Sequence, residues 1–169
     1  DVSKGYAYLL SESLNAECRI FAYSGNGIVS RWISENQESP NKDQLLPEIF
    51  PFNQEYKPSL IVCNLGTNDA SYTRNIAKRE QEFMNHYLGF IQKLQKYFAK
   101  TRILLVYGIM EKTLCRSVKK VAEESGAFYL ELPLQKEEDG FGTDAHPGEK
   151  IHKELSGLLS KEIRKIMVW

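Results

Sequence analysis

Two uninterrupted apolar runs bracket a long amphipathic stretch, and together they restrict the fold more than any other feature. Residues 59–65 (SLIVCNL) and 103–110 (ILLVYGIM) show no polar alternation. A strand with one wet face alternates, whereas a strand covered on both faces reads as a continuous apolar run. Between them, Phe83, Tyr87, Phe90, Ile91, Leu94 and Phe98 fall on one face of a helix predicted over residues 76–100. Strand, crossover helix and strand is the repeating unit of a parallel sheet.

The rest of the chain extends this pattern. Tyr6, Leu9, Leu10 and Leu14 predict a helix over residues 4–16 with Ser3 as its N-cap. Residues 19–23 (RIFAY) and 127–132 (AFYLEL) predict two further strands. Leu114, Val118 and Val121 predict a helix closed by Gly126. A last helix is expected from Pro147 through Ile151, Leu155, Leu158, Leu159, Ile163 and Ile166. Residues 30–58 are broken by prolines and hold no sustained period, so they predict a long loop with one short helical turn. A loop of that length in a compact domain usually serves function. The fold class expected is α/β, three layers with a parallel sheet between helices, in a single domain over residues 1–169.

Composition narrows the function classes. The chain has 169 residues, 42% of them hydrophobic, which is enough for one packed core. Basic and acidic residues number 22 each, so no electrostatic argument favours nucleic acid or an anionic membrane as partner. No apolar run reaches the length of a membrane span. Cys18, Cys63 and Cys115 are too widely spaced for a metal motif or a disulfide framework, and Cys63 reads as a core residue. The glycines of SGNG are too few for a dinucleotide fingerprint. No metal and no cofactor is expected.

Three segments lie at the carboxyl ends of predicted strands, where α/β sheets place their chemistry. SGNG (residues 24–27) follows the first strand, GTND (66–69) the second, and GTDAHPG (142–148) the connection after the fourth. They are expected to converge on one rim. Glycine in the first frees a backbone N–H to approach a substrate. The Asn68 amide is a neutral donor of the kind that stabilises an oxyanion. Asp144 and His146 form an acid–base pair at a helix start, whereas His86 and His152 sit beside apolar helix positions and read as solvated. Each segment alone reads equally well as an ordinary turn or cap. Together they make an acyl-transfer constellation without its nucleophile, since Ser24 lacks the G-x-S-x-G setting.

At this point the chain resembles the SGNH hydrolases, serine esterases on a flavodoxin-like parallel sheet. Gly25 in AYSGNG matches the glycine of their second block, with Gly27 as the next candidate. Gly66, Thr67, Asn68 and Asp69 match the G-x-N-D block, and His146 before Pro147 matches the histidine block. The D-x-H spacing, with SKGYAYLLSESLNAE leading into AYSGNG, looks most like the catalytic domain of carbohydrate esterase family 2. The resemblance implies removal of O-acetyl groups from xylan- or glucomannan-type saccharides, and a secreted, periplasmic or cell-surface setting. It implies His146 and Asp144 as catalytic residues and Gly25 and Asn68 as the oxyanion hole. Ala145 stands where many relatives carry an aromatic residue.

The first block, a strand followed by Gly-Asp-Ser, is not matched. The nucleophilic serine and the central strand of the sheet are therefore expected upstream of residue 1, and the 169 residues alone are expected to be inactive and unstable. Two alternatives stay open: a lipase-, lysophospholipase- or thioesterase-like member of the same superfamily, and a non-catalytic carbohydrate-binding domain using Trp32 and the aromatic residues of 50–56.

Overall fold

The computed structural model describes residues 2–52 and 55–168. It divides into two compact units. One consists of residues 1–21 with 132–169, the other of residues 22–131.

The larger unit holds three strands, β1 (Leu60–Asn64), β2 (Arg102–Tyr107) and β3 (Phe128–Glu131). They form a parallel sheet in the order β1-β2-β3, with Cys63 opposite Leu105 and Leu105 opposite Tyr129. β2 is hydrogen-bonded on both sides, and Ile103 through Tyr107 are all buried. Among the described residues β1 has one strand neighbour, β2, and within β1 Cys63 alone is fully buried. The strand expected within residues 59–65 is thus present as β1.

Helix α4 (Ala77–Tyr97) crosses from β1 to β2. It buries Phe83, Tyr87, Phe90, Ile91 and Leu94, the face that the period predicts. Helix α5 (Cys115–Ser125) joins β2 to β3 and buries Val118, Val121 and Ala122; Gly126 caps it in the left-handed conformation. The long loop includes one four-residue turn of helix, α2 (Leu46–Ile49), as expected. Beyond it the loop is pinned by aromatic packing. Phe50 meets Phe90 edge-on at 5.8 Å, and Phe52 meets Tyr97 at 5.6 Å.

The smaller unit pairs α1 (Tyr6–Leu14) with α6 (Glu149–Met167). Their amino ends meet where Lys4 Nζ lies 2.9 Å from Glu149, and their carboxyl ends where Ser13 Oγ lies 2.9 Å from Ser160 Oγ. The two helices therefore run in the same direction. Gly5, not Ser3, is the N-cap of α1. α6 starts two residues later than expected, because Pro147 forms an antiparallel bridge with Phe141 and Gly148 takes the cap position.

Two expectations fail for stated reasons. Residues 19–23 form no strand, and Ile20 and Tyr23 are 55% and 57% exposed. A β-prone run becomes a strand only by sharing its N–H and C=O groups with a neighbour, and no described strand pairs with this one. His152 is not a solvated surface residue. Its ring stacks on Tyr6 at 5.9 Å, and its Nδ1 accepts the Tyr6 backbone N–H at 3.3 Å. His86 is exposed, as expected.

Candidate active site

The carboxyl end of β1 runs directly into the GTND segment. Gly66 takes φ +120, and a β-carbon there would lie 2.8 Å from the ring of Tyr107. Only glycine lets the chain turn this close to β2 and enter a short helix, α3 (Thr67–Thr73), that periodicity does not announce. Asn68 and Asp69 thereby occupy the first turn of α3.

Both side chains reach the segment that carries SGNG. The Asn68 amide donates to the Asn26 carbonyl at 2.7 Å, and no described group accepts its second N–H. Asp69 is completely buried. Its carboxylate accepts three consecutive backbone N–H groups: Ile28 at 2.9 Å, Val29 at 2.8 Å and Ser30 at 3.1 Å. Burial pushes the Asp69 carboxyl up to about 6, against the pull of these donors, which favour its charged form. Gly27 is fixed by the same contact, since a β-carbon there would lie 2.6 Å from Asp69 Oδ2 and 2.1 Å from the Ser30 carbonyl.

Further bonds close the loop. The Gly25 carbonyl accepts the Trp32 N–H at 2.8 Å, and Asn26 donates from its amide to the Gln44 carbonyl at 2.9 Å. Gly25 has φ +71. No described group accepts its N–H. Gly25 and Asn68, forty-three positions apart, are therefore brought to one loop and held there. Trp32, next to Gly25 through that backbone bond, is 60% exposed. Phe50 and Phe52, by contrast, are taken up in packing against α4.

His146 and Asp144 lie in the smaller unit, in the exposed connection before α6. Asp144 and Ala145 both take positive φ, 54° each. This bends the connection so that the Gly142 N–H donates to the His146 carbonyl at 2.7 Å. The His146 ring faces back onto main chain: Nδ1 lies 3.1 Å from the carbonyls of Thr143 and of Asp144. With the proton on Nδ1, those two oxygens hold the tautomer that leaves Nε2 as a base. The orienting contacts thus come from carbonyls, including that of Asp144, which sequence reading cannot separate from its carboxylate.

A cavity of about 720 Å³ opens by the ends of β2 and β3, beside Glu80, Lys112, Cys115, Arg116 and Glu131, and includes none of the residues above. Among the described residues no group of three His, Cys, Asp or Glu side chains is placed to hold a metal ion.

No protein-family model matches the chain. Among curated proteins it is 27% identical to the cellulase/esterase CelE of Acetivibrio thermocellus, over 97% of this chain and 22% of that protein. It is 22% identical to an acetylxylan esterase/glucomannan deacetylase of Cellvibrio japonicus, over 98% of this chain and 49% of that protein. The chain thus spans at most about half the length of these relatives. Among solved structures, a family 2 carbohydrate esterase from Clostridium thermocellum in complex with cellohexaose superposes with a TM-score of 0.83 at 25% identity, over all of this chain and 56% of that one. A family 2 enzyme from Corynascus thermopiles, solved with its carbohydrate-binding domain, gives 0.85 at 24% identity over all of this chain and 58% of that one. The α/β fold expected from the apolar runs is the fold of these neighbours. The chain's homologues and structural neighbours are carbohydrate esterase family 2 enzymes, and it corresponds to somewhat over half the length of the solved ones.

Proposed function

We propose that this chain supplies the general base and the oxyanion donors of an esterase that removes acetyl groups from xylan- or glucomannan-type saccharides. The observation that supports the reading is the bond from the Asn68 amide to the carbonyl of Asn26, the residue after Gly25. Neutral N–H donors held in advance stabilise an oxyanion without reorganising as the charge develops.

The nucleophile in this reading is a serine in sequence preceding residue 1. His146 Nε2 takes the proton from the serine hydroxyl as its oxygen attacks the acetyl carbonyl. The Gly25 N–H and the second N–H of the Asn68 amide donate to the oxyanion of the tetrahedral intermediate. The C–O bond to the sugar then breaks, and the imidazolium returns its proton to the departing sugar oxygen. Water cleaves the acetyl-serine by the same route in reverse. Asp144 is assigned the supporting role of stabilising the imidazolium. Trp32, whose backbone N–H bonds to the Gly25 carbonyl, is 60% exposed, and an indole face offers a sugar ring a stacking surface that a polar loop lacks.

The test is acetate release from acetylated xylan and from p-nitrophenyl acetate by the whole protein. His146→Ala is expected to abolish both, and Asn68→Ala to lower kcat by about 10²–10³-fold. Retained activity in His146→Ala removes that residue from the mechanism. The same assay separates the two alternatives. Faster cleavage of longer acyl chains than of acetyl indicates a lipase- or thioesterase-like enzyme. Saccharide binding with no ester cleavage indicates a non-catalytic module.

A further inference from the structure

Three consecutive N–H groups aimed at one carboxylate form an anion cradle built inside the protein, with Asp69 as its permanent occupant. The carboxylate meets the cradle twice at Ile28, at 2.9 Å from Oδ1 and 3.0 Å from Oδ2. A fully buried carboxylate with no cationic side chain bonded to it is costly to keep for packing alone. What it holds is the loop whose first residues include Gly25. Ile28 is three positions from Gly25, and Gly27, between them, has room for no side chain because the carboxylate fills that space. Asn68, the preceding residue on α3, bonds to Asn26 in the same loop.

We infer that Asp69 is a positioning residue: its carboxylate clamps the amides of residues 28–30 and thereby sets the spacing between the Gly25 N–H and the Asn68 amide. This rests on the esterase reading above for its catalytic consequence, but not for the clamp itself. Asp69 touches no substrate atom in this scheme. It acts through the loop backbone; without it the loop keeps its bonds to α3 at Asn26, from Asn68, and at Ile33, to Ser71 Oγ, but loses those at residues 28–30. Sequence reading shows it within the G-x-N-D block but gives it no role, because its partners are main-chain N–H groups about forty residues away, which any sequence possesses.

Asp69→Asn keeps the size of the side chain and one accepting oxygen, but sets an NH2 group against the Ile28 N–H. In the whole protein this variant is expected to lower kcat on p-nitrophenyl acetate by about 10²-fold, the loss typical of one misplaced oxyanion donor, with KM within about twofold. Exchange of the amides of residues 28–30 with deuterium is expected to quicken at least roughly tenfold, with an unchanged far-ultraviolet dichroism spectrum. Asn68→Ala with Asp69→Asn should be little slower than Asn68→Ala alone, since the two act on one donor pair. Gly27→Ala, which leaves Asp69 in place but fills its space, should reproduce the faster exchange and the kcat loss.

A kcat within threefold of wild type in both Asp69→Asn and Gly27→Ala overturns the inference. So does a rise in KM with kcat unchanged, or single losses that multiply fully in the double variant. If the wild-type protein cleaves no ester, the esterase reading falls, and exchange decides the clamp. Faster exchange at residues 28–30 in Asp69→Asn upholds it, and unchanged exchange overturns it.

Discussion

Asp69 leaves a thermodynamic trace as well as a structural one. Burial raises its carboxyl from 3.8 to about 6, so between those pH values the folded chain keeps a proton that the unfolded chain has released. Folding stability attributable to this residue therefore falls as pH rises through that window, by at most roughly 3 kcal/mol. Asp69→Asn has no proton to lose. The difference in unfolding free energy between wild type and variant, measured by urea denaturation from pH 4 to 7, should shift steadily in the variant's favour. A difference independent of pH would show that the carboxylate is as well solvated by the three amides as by water. The sequence shows Asp69 only as the last letter of a G-x-N-D block. Gly27 appears only as a second choice beside Gly25. The physical link between them, a missing β-carbon beside a buried carboxylate, exists only in three dimensions.

Elements were legible to the extent that they depend on local pattern. β1, β2, β3, α4 and α5 were each visible because an apolar run or a helical period lies within a few consecutive residues. Residues 19–23 have the composition of a strand but enter none of the three described strands, and pairing is not a local property. α3 was missed because TNDASYT has no apolar period, its start being set by the turn at Gly66. The α1–α6 pair shows the same limit in a histidine. The place of His152 beside the apolar face predicts a solvated ring, yet Tyr6 of α1 stacks on it. Burial lowers its pKa below that of a free imidazole, and protonation would turn the Nδ1 acceptor into a donor facing the Tyr6 N–H. The unfolded chain then binds its proton first as pH falls, so the contribution of this contact is present above about pH 6.5 and is lost below it. A nuclear magnetic resonance titration should place the His152 midpoint below 6.5. A midpoint above that value would mean that the ring gains a partner for its charge rather than losing water.

For the whole molecule, the sheet is the weak point. Among the described residues β1 has one strand neighbour, β2. A strand of the composition LIVCN, with no charge and no proline, favours pairing with further strands. The 169 residues prepared by themselves should therefore associate, or unfold at low denaturant without a sharp transition. Analytical ultracentrifugation with urea titration checks this, and a monomer with one steep transition would contradict it. Those same measurements on a longer polypeptide that adds a strand beside β1 should give that steep transition.

The smaller unit carries a consequence for how the chain is made. Tyr6 and His152, which touch through one hydrogen bond, are 146 positions apart. At roughly 5–20 residues per second, α1 leaves the ribosome on the order of ten seconds before α6 is there to cover it. During that interval all of residues 22–131 have been translated and can fold, while Leu10 and its neighbours on α1 stay wet. Assembly thus has a built-in sequence, inner segment first and the two outer helices last, and a nascent chain stalled before Glu149 would display α1 to chaperones for as long as the stall lasts.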